Sequence, residues 1–328
     1  MRRENVISTV YLQFTRTEIA AMTMEDSAVQ RSFTTLLKED PEMSVAFAAI
    51  NTLLTDLETH EYETMSGLME RMGQLQKILQ ASEKAGASVS SGTELFLRSV
   101  TLIANLDKKG HLRESQSLMI ERGRDFIQQY SGARQKIADL CDPFIMDDMT
   151  ILTHSRSRAV RDALIRAKKE SGKNFRVLVT ESQPDRSGAE LRRELAAAGI
   201  DCTVILDAAV AYSMESVDCV LVGAEGVVEN GGIVNKIGSL AVAMSAHAFK
   251  RPLYVLAECV KFVRLYPLNQ QEVPDEFKFA LVRPGSEARD KTNPLVDYTP
   301  PRYITLLFTD LGILTPAAVS DELLQLYM

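Results

Sequence analysis

The sequence contains no tryptophan, and aromatic residues make up only 6% of it. This composition disfavours proteins that stack single-stranded nucleic acid on aromatic side chains. No apolar run approaches the roughly 18 residues that a membrane-spanning helix requires, so we expect no membrane partner. The net charge is -7, from 37 Lys and Arg against 44 Asp and Glu, which argues against direct nucleic-acid binding.

Cysteine and histidine are scarce and scattered. The four cysteines, Cys141, Cys202, Cys219 and Cys259, include no Cys-x-x-Cys pair, and three lie in or beside apolar segments. Such usage is typical of buried thiols in a reducing compartment, so we expect a cytosolic protein. The four histidines are equally dispersed and lack the spacing of a zinc site. We therefore expect no metal and no cofactor.

The chain divides into three parts by composition and by the spacing of its apolar residues. Its 328 residues suffice for about two domains of roughly 150 residues each. Residues 1–31 lack the clean apolar segment of a secretory signal, and we expect a poorly ordered extension there, with a transit peptide as the alternative. Residues 32–143 carry apolar positions at helical spacing and predict a helical domain, in which Asp40-Pro41 opens a helix. Residues 144–328 alternate short β-rich runs with helical segments and predict an α/β domain.

The alternation in the second domain predicts a Rossmann-like, doubly wound and mostly parallel sheet. Such a sheet places its ligand crevice at the carboxyl ends of the strands. We expect a long surface loop at 269–301, because this stretch is rich in Pro, Asp and Lys. The predicted strands are 150–153, 175–180, 202–206, 218–222, 253–257 and 304–308, and the main predicted helices are 187–198 and 236–249.

Two polar segments follow predicted strands. The segment 153–158 reads Thr-His-Ser-Arg-Ser-Arg, with hydroxyls that can cap a helix and arginines that can pair with a phosphate. The alternative is a capped helix with surface arginines. The segment 180–188 leaves the second strand and enters a helix, whose first backbone amides would suit an anion.

The densest polar segment is 222–238, Val-Gly-Ala-Glu-Gly-Val-Val-Glu-Asn-Gly-Gly-Ile-Val-Asn-Lys-Ile-Gly. Its glycines allow close backbone approach to a ligand. Glu225 is placed to hydrogen-bond hydroxyls or to exchange protons. We expect Asn235 and Lys236 to open the next helix, where an amide and an ammonium would add to the helix dipole.

A fourth segment, 89–94, is a serine-rich turn in the helical domain. It resembles a helix N-cap, with Arg98 facing back toward it. No Ser-His-Asp order, Walker loop or complete Gly-x-Gly-x-x-Gly is present in the sequence. The residues alone predict a crevice suited to a small phosphorylated polyol, and they leave open whether it is converted or only bound.

Several of these runs carry a resemblance to a known family. The stretches 180–184, 222–238, 261–271 and 306–321 closely resemble the alpha subunits of eukaryotic translation initiation factor 2B. The resemblance covers nearly everything after about residue 33. That family shares a superfamily with methylthioribose-1-phosphate isomerase and ribose-1,5-bisphosphate isomerase.

The resemblance implies a non-catalytic regulatory subunit of the guanine nucleotide exchange factor for initiation factor 2. It implies a homodimer, built through the α/β domain, that joins two half-complexes into a decamer with the beta, gamma, delta and epsilon subunits. It further implies contact with initiation factor 2, especially its phosphorylated alpha subunit. The apolar residues that suit such a dimer interface, or equally the core, are Leu265, Tyr266, Leu268, Tyr303 and Leu307.

The resemblance also identifies where this chain departs from the isomerases. Those enzymes place a cysteine after Thr-His and an aspartate after Gly-Ala, where this chain has Ser155 and Glu225. The arginine of their Glu-x-Arg-Pro segment is Gln183, and the aspartate of their Asn-Gly-Asp is Gly232. A serine hydroxyl is a far poorer proton donor than a thiol with a pKa of about 8.5.

These departures imply lost catalysis with retained binding of a sugar phosphate or a nucleotide. The alternative is a sugar-phosphate aldose-ketose isomerase with a rewired acid/base pair. No residue is assigned a catalytic role. The candidate ligand-binding residues are Ser91, Gly92, Arg98, Ser155, Arg158, Gln183, Glu225, Asn235 and Lys236.

Overall fold

A computed structural model describes residues 16–82, 86–101, 112–280 and 289–327. Within these ranges the amino-terminal part is helical. Ser44 and Thr64 fix where two of its helices begin, because each hydroxyl accepts a backbone N–H from the first turn. The helices are α1 (Arg16–Glu39), α2 (Val45–Thr59), α3 (Met65–Gln80), α4 (Ala87–Thr101), α5 (Leu112–Ser131) and α6 (Ala133–Cys141).

The carboxyl-terminal part alternates strands with helices. Its strands are β1 (Thr150–Thr153), β2 (Arg176–Thr180), β3 (Asp201–Ile205), β4 (Cys219–Gly223), β5 (Gly226–Val228), β6 (Ile233–Lys236), β7 (Leu253–Leu256), β8 (Phe262–Val263), β9 (Val296–Thr299), β10 (Leu306–Thr309) and β11 (Gly312–Leu314). Its helices are α7 (Arg158–Lys169), α8 (Ser187–Ala197), α9 (Val210–Ser213), α10 (Ser239–Ala248), α11 (Asp275–Lys278) and α12 (Val319–Leu326). The six predicted strands correspond to β1, β2, β3, β4, β7 and β10.

The larger sheet has seven strands in the order β11-β10-β7-β4-β1-β2-β3. All neighbouring pairs are parallel except β10 and β11. The chain builds outward from β1 to β3 and then crosses to the other side of β1 with β4. The connections that follow the parallel strands β1 and β4 thus leave the sheet in opposite directions, which is where a doubly wound sheet opens a crevice. The predicted fold class is confirmed.

Helices cover both faces of this sheet, and the helical part joins one of the two cores. Ile137 of α6 and Leu191 of α8 belong to the apolar core on one face. On the other face, Leu152 of β1 and Val242 of α10 share a core with Ile50 of α2. Because this core is continuous, the helical part is packed directly against the sheet and can contribute walls to the crevice. No helix in the described ranges is long and apolar enough to cross a membrane.

A second, four-stranded sheet in the order β8-β5-β6-β9 was not predicted from the sequence. The prediction of a surface loop at 269–301 is wrong near its end, because residues 296–299 form β9. The register pairs Val234 with Tyr298, and Val296 and Tyr298 are both buried. The flanking prolines and charges obscured the short alternating pattern from which this strand could have been predicted.

Local expectations in the helical part also need correction. Asp40-Pro41 opens no helix: the Asp40 carboxylate accepts the N–H groups of Glu42 and Met43 in a turn, and α2 begins after Ser44. The serine-rich segment 89–94 lies inside α4 and is not a cap. Its hydroxyls bond to backbone oxygens instead of to the N–H groups of a first turn.

The amino-terminal extension is only partly described. Residues 1–15 lie outside the described residues. Helix α1 begins at Arg16, so the boundary expected at residue 31 falls within a continuous helix.

Candidate functional site

A cavity of about 360 Å³ opens at the carboxyl ends of β1 and β4. Its position is the one that the strand order dictates for a doubly wound sheet. Elements of the small sheet and the helical part close its sides. Its lining residues are Val45, Gly86, Ser88, His154, Ser155, Arg156, Ser157, Arg158, Ala159, Gly223, Ala224, Glu225, Asn235, Lys236, Glu258, Lys261, Phe277, Leu295 and Val296.

One wall is the turn from β1 into α7. Ser157 caps α7, since its hydroxyl accepts the N–H of Val160 at 3.4 Å. The turn lies so close to β4 that a Cβ on Gly223 would be 2.4 Å from Ser157 Oγ, so any larger residue at position 223 would displace the Ser157 side chain. The amino terminus of α7 therefore faces the cavity and gives it a partial positive charge.

Behind this wall, His154 joins three elements. Its Nε2 lies 2.8 Å from the carbonyl oxygen of Ile237, and its Nδ1 lies 2.6 Å from Thr180 Oγ1. A carbonyl can only accept, so Nε2 carries the proton and Nδ1 accepts the threonine hydroxyl. Burial lowers the pKa of His154, which favours this neutral form. The ring thus ties the ends of β1 and β2 to the segment that precedes α10.

The wall opposite α7 carries Glu225 and Lys236. Lys236 Nζ lies 3.1 Å from Asp185 Oδ2 and 4.0 Å from Glu225 Oε1. Burial raises the pKa of Glu225, although the positive charges of Lys236 and Lys261 act in the opposite direction. The carboxyl group also faces the helical part, since a Cβ on Gly86 would be 3.5 Å from Glu225 Oε2. The site therefore contains one carboxyl group whose proton affinity is increased.

The prediction that Asn235 and Lys236 open a helix is wrong. Both residues end β6, and α10 begins at Ser239. Asn235 pairs with Asp297 of β9, and the Asp297 carboxylate accepts the N–H groups of Gly238 and Leu240. These contacts, together with the positive φ of Gly238, separate the strand from the helix. The side chains nevertheless reach the cavity from the strand.

Carboxylates pair with three of the four cationic side chains in the lining. Arg156 Nη2 lies 2.6 Å from Glu194 Oε1, and Lys261 Nζ lies 2.8 Å from Glu258 Oε2. Lys236 pairs with Asp185, as described above.

The fourth cation, Arg158, has no carboxylate partner in the described part of the chain. Its Nη1 donates instead to the backbone oxygens of Glu42 and Met43, at 3.2 and 2.5 Å.

Of the predicted ligand-binding residues, Ser155, Arg158, Glu225, Asn235 and Lys236 line one cavity. The other four do not. Ser91 and Gly92 are buried inside α4, where the Ser91 hydroxyl donates to the Val260 carbonyl at 2.7 Å. Gly92 packs on α2, and a Cβ there would be 3.0 Å from Ala46 Cβ.

The remaining two point elsewhere. The Arg98 guanidinium lies 5.8 Å from the centre of the Tyr327 ring, away from the cavity. Gln183 is exposed, and its side chain amide donates to Glu181 while its backbone N–H donates to Asp207. The residue that the turn after β2 contributes to the site is therefore Asp185, through its ion pair with Lys236. Gln183 does not take part.

Sequence reasoning missed Glu258 and Lys261. Both follow the carboxyl end of β7, which lies beside β4 in the sheet. Glu258 is buried and holds Lys261 at the cavity. The same strand-end argument that located Ser155 and Glu225 could have found this pair. The described residues contain no group of three or more His, Cys, Asp or Glu side chains placed to hold a metal ion.

A model of the initiation factor 2 subunit family matches residues 38–316. This chain belongs to that family. It is 41% identical over 311 residues to the translation initiation factor eIF2B subunit alpha of Dictyostelium discoideum, covering 91% of this chain and 96% of that protein. It is also 33% identical over 211 residues to the ribose 1,5-bisphosphate isomerase of Archaeoglobus fulgidus, covering 62% of this chain and 66% of that enzyme.

A solved structure supports the fold. A chain of the tetrameric eIF2B-beta2-delta2 complex from C. thermophilum matches with a TM-score of 0.73 at 20% identity. The match covers 96% of this chain and 100% of that chain. The resemblance found in the sequence is thus confirmed at the level of the family, and the isomerases are its relatives.

Proposed function

We propose that this chain is a non-catalytic regulatory subunit of the eIF2B alpha type in the exchange factor for initiation factor 2. The likeness to an eIF2B alpha subunit extends over 91% of the chain, whereas the likeness to the isomerase extends over 62%. In this role the protein acts in the cytosol by assembly and not by chemical conversion. It joins two half-complexes into a decamer and senses the phosphorylated alpha subunit of initiation factor 2.

The observation that carries the proposal is the environment of Ser155. This residue stands where the isomerases place a cysteine, and its hydroxyl lies 2.8 Å from Ser187 Oγ in a buried position. A serine hydroxyl ionises far less readily than a thiol, whose pKa is about 8.5. Of the two carboxyl groups that line the cavity, only Glu225 has an increased proton affinity, and it faces a weak proton donor. Two-base proton transfer across a sugar is poorly supported by this pair.

The cavity is suited to binding a phosphorylated small molecule. The amino terminus of α7, Arg158 and Lys236 supply positive charge, and phosphate oxygens favour such donors. Glu225 and Asn235 add groups that can hydrogen-bond to hydroxyls. We propose a sugar phosphate or a nucleotide as the ligand of these residues together with Ser155. It acts as a regulator of the assembly.

A self-complementary interface through the α/β part accounts for part of its apolar surface. Tyr266 and Leu268 are 60% and 72% exposed in the single chain. Leu307, by contrast, is fully buried in the core. A two-fold dimer buries the same patch on both copies, so the exposed pair fits the proposed homodimer. The beta, gamma, delta and epsilon subunits are the further partners of this proposal.

Purification of the tagged chain from its own cells tests the assignment. We expect four other exchange-factor subunits to accompany it in stoichiometric amounts, with mass spectrometry as the readout. The purified chain alone is expected to elute as a dimer in size-exclusion chromatography with light scattering. A chain that purifies alone, as a monomer, would contradict the proposal.

The second candidate is a sugar-phosphate isomerase, favoured by the increased proton affinity of Glu225. It predicts steady conversion of ribose 1,5-bisphosphate or methylthioribose 1-phosphate by the pure chain, and loss of that conversion in Glu225→Gln. The regulatory proposal predicts no conversion by either protein, with Glu225→Gln changing only the affinity for a phosphorylated sugar. Steady product formation by the unmodified chain would therefore decide for the enzyme.

A further inference from the structure

Arg158 is held by backbone oxygens and not by a carboxylate. Its Nη1 donates to the carbonyls of Pro41, Glu42 and Met43 at 3.4, 3.2 and 2.5 Å. Within the described ranges, its Nε and Nη2 make no hydrogen bond to another residue. Arg158 lines the cavity, and an arginine presents five N–H donors in a rigid plane. Its Nε and Nη2 donors are therefore left to bind a ligand there.

The three carbonyls belong to residues 40–44, which we call the α1–α2 loop. This loop is tied to the α/β part by its own side chains as well. The Glu42 carboxylate lies 2.5 Å from Arg161 Nη2 and 3.5 Å from Arg134 Nη1. Ser44 caps α2, and the next residue, Val45, lines the cavity. The loop therefore leads directly into a core helix whose first residue is part of the cavity wall.

An anionic partner stabilises a half-buried guanidinium, because hydrogen bonds between charged groups are stronger than those between neutral groups. Burial lowers the pKa of Arg158, as expected for a cation without an anionic partner among the described residues. A phosphate can accept hydrogen bonds from Nε and Nη2 on one side, while Nη1 continues to donate to the loop carbonyls on the other. A planar group held at both edges has little rotational freedom, so fixing it on the ligand side also fixes the loop.

We propose that Arg158 bridges a phosphate group in the cavity to the α1–α2 loop, so that occupancy of the cavity orders the start of α2. The inference rests on the proposed function in one respect, namely that the cavity binds a phosphorylated molecule. It adds a route by which the bound molecule acts on the helical part. A lysine has its three N–H donors on a single nitrogen, so it cannot hold the loop carbonyls and the phosphate on two edges of one rigid plane.

Hydrogen exchange of the full-length protein, read by mass spectrometry, tests the bridge with ribose 5-phosphate as the probe and ribose as the unphosphorylated control. Ribose 5-phosphate at saturation is expected to slow exchange of the amides at 42–48 by about threefold or more. Ribose is expected to leave these rates unchanged. Binding itself is followed separately, by calorimetry.

Two variants of helix α7 make the test specific. Arg158→Lys is expected to bind ribose 5-phosphate more weakly and, when saturated, to show no slowing at 42–48. Arg166→Lys is the matched control, since Arg166 lies on the same helix and pairs with Asp139 and Glu170 away from the cavity. It is expected to behave as the parent in both measurements.

The outcomes separate the bridge from the binding proposal. If ribose 5-phosphate binds but exchange at 42–48 is unchanged, the bridge is overturned and the ligand cavity stands. The bridge is also overturned if saturating ribose 5-phosphate slows exchange at 42–48 as much in Arg158→Lys as in the parent protein. If neither ribose 5-phosphate nor inorganic phosphate binds in calorimetry, the cavity proposal fails and the bridge fails with it.

Discussion

Replacing Glu42 with glutamine tests how strongly the α1–α2 loop is fastened to the α/β part. The Glu42 carboxylate takes two contacts from Arg161, at 2.5 and 2.8 Å, and lies 3.5 Å from Arg134. The variant Glu42→Gln keeps the size of the side chain and removes its charge. The lost ion pairs connect α7 and α6 with a loop of the helical part, so the effect is tertiary and not confined to one helix.

The pKa of Glu42 gives the size of the effect. The hydrogen bond from Arg161 is the main cause that lowers this pKa from 4.5 to about 2, with burial opposing it and further arginine charges assisting. A difference of about 2.5 corresponds to a ceiling of roughly 3.4 kcal/mol at about 1.36 kcal/mol per unit. Because the side chain is 51% exposed, solvent screening reduces this ceiling, and we expect a loss of about 1 kcal/mol.

The sign of the pH dependence follows from the lowered pKa. A carboxyl group with a lower pKa in the folded state stabilises the protein fully above its unfolded pKa of 4.5. The stabilisation disappears as the pH falls toward about 2. Glu42→Gln should therefore cost the same free energy of unfolding at pH 5 and pH 8. Urea unfolding followed by far-ultraviolet circular dichroism measures this, since the chain has no tryptophan for fluorescence.

Glu170→Gln provides the matched control. Glu170 also pairs with an arginine of α7, at 2.6 Å from Arg166 Nη1, and is 59% exposed. Its pair joins residues four apart on the helix surface and should contribute only about 0.3–0.5 kcal/mol. Equal destabilisation by the two variants would refute the claim that the Glu42 contacts fasten the loop. A cost of Glu42→Gln that differs between pH 5 and pH 8 would refute the assigned pKa.

Lys236→Gln should weaken ribose 5-phosphate binding by about tenfold in calorimetry, because the contact between the ammonium and the phosphate is lost. Lys291 lies outside the cavity, so Lys291→Gln should bind with the parent's affinity. An unchanged affinity in Lys236→Gln would remove this residue from the site. Gly188→Ala should destabilise the protein by at least about 2 kcal/mol in urea unfolding, since its Cβ would be 1.9 Å from the Thr180 oxygen. Gly73→Ala, which meets no atom within 4 Å inside α3, should be neutral or stabilising by up to about 1 kcal/mol.

The sheet could be predicted from the sequence because its strands are short, buried and separated by helices. Strand β4, for example, is buried at all five positions, and its Cys-Val-Leu-Val appears in the sequence as an apolar run. The small sheet was missed because its two central strands, β5 and β6, are short and lie in a segment rich in glycine. They also pair with β8 and β9, which are distant in sequence, and no local pattern encodes such pairing.

The site was predictable only where residues follow strand ends. Ser155 and Glu225 come just after β1 and β4, so topology alone brings them together. Ser91 was misjudged because a serine cluster resembles a cap, whereas its hydroxyl satisfies a distant backbone oxygen across the interface with the α/β part. The partner of Arg158 is equally distant, since residues 41–43 are separated from it by more than a hundred positions in the chain. Such contacts depend on tertiary packing and leave no local signal.

Substitutions at the acid/base positions 155 and 225 alone would not restore the isomerase pattern. The resemblance implies a further aspartate, in the Asn-Gly-Asp segment, where this chain has Gly232. That position has no room for a side chain, since a Cβ would be 2.6 Å from the Tyr298 ring and 2.7 Å from the Thr299 oxygen. The Asn230 side chain further locks this turn, since it donates to the Pro267 carbonyl and to the Tyr298 hydroxyl and accepts the Gly232 N–H. An aspartate there requires β9 to move, and β9 also supports Asn235 through its pairing with β6. The departures from the isomerase pattern are therefore built into the packing of the small sheet, which supports a protein whose cavity binds without converting.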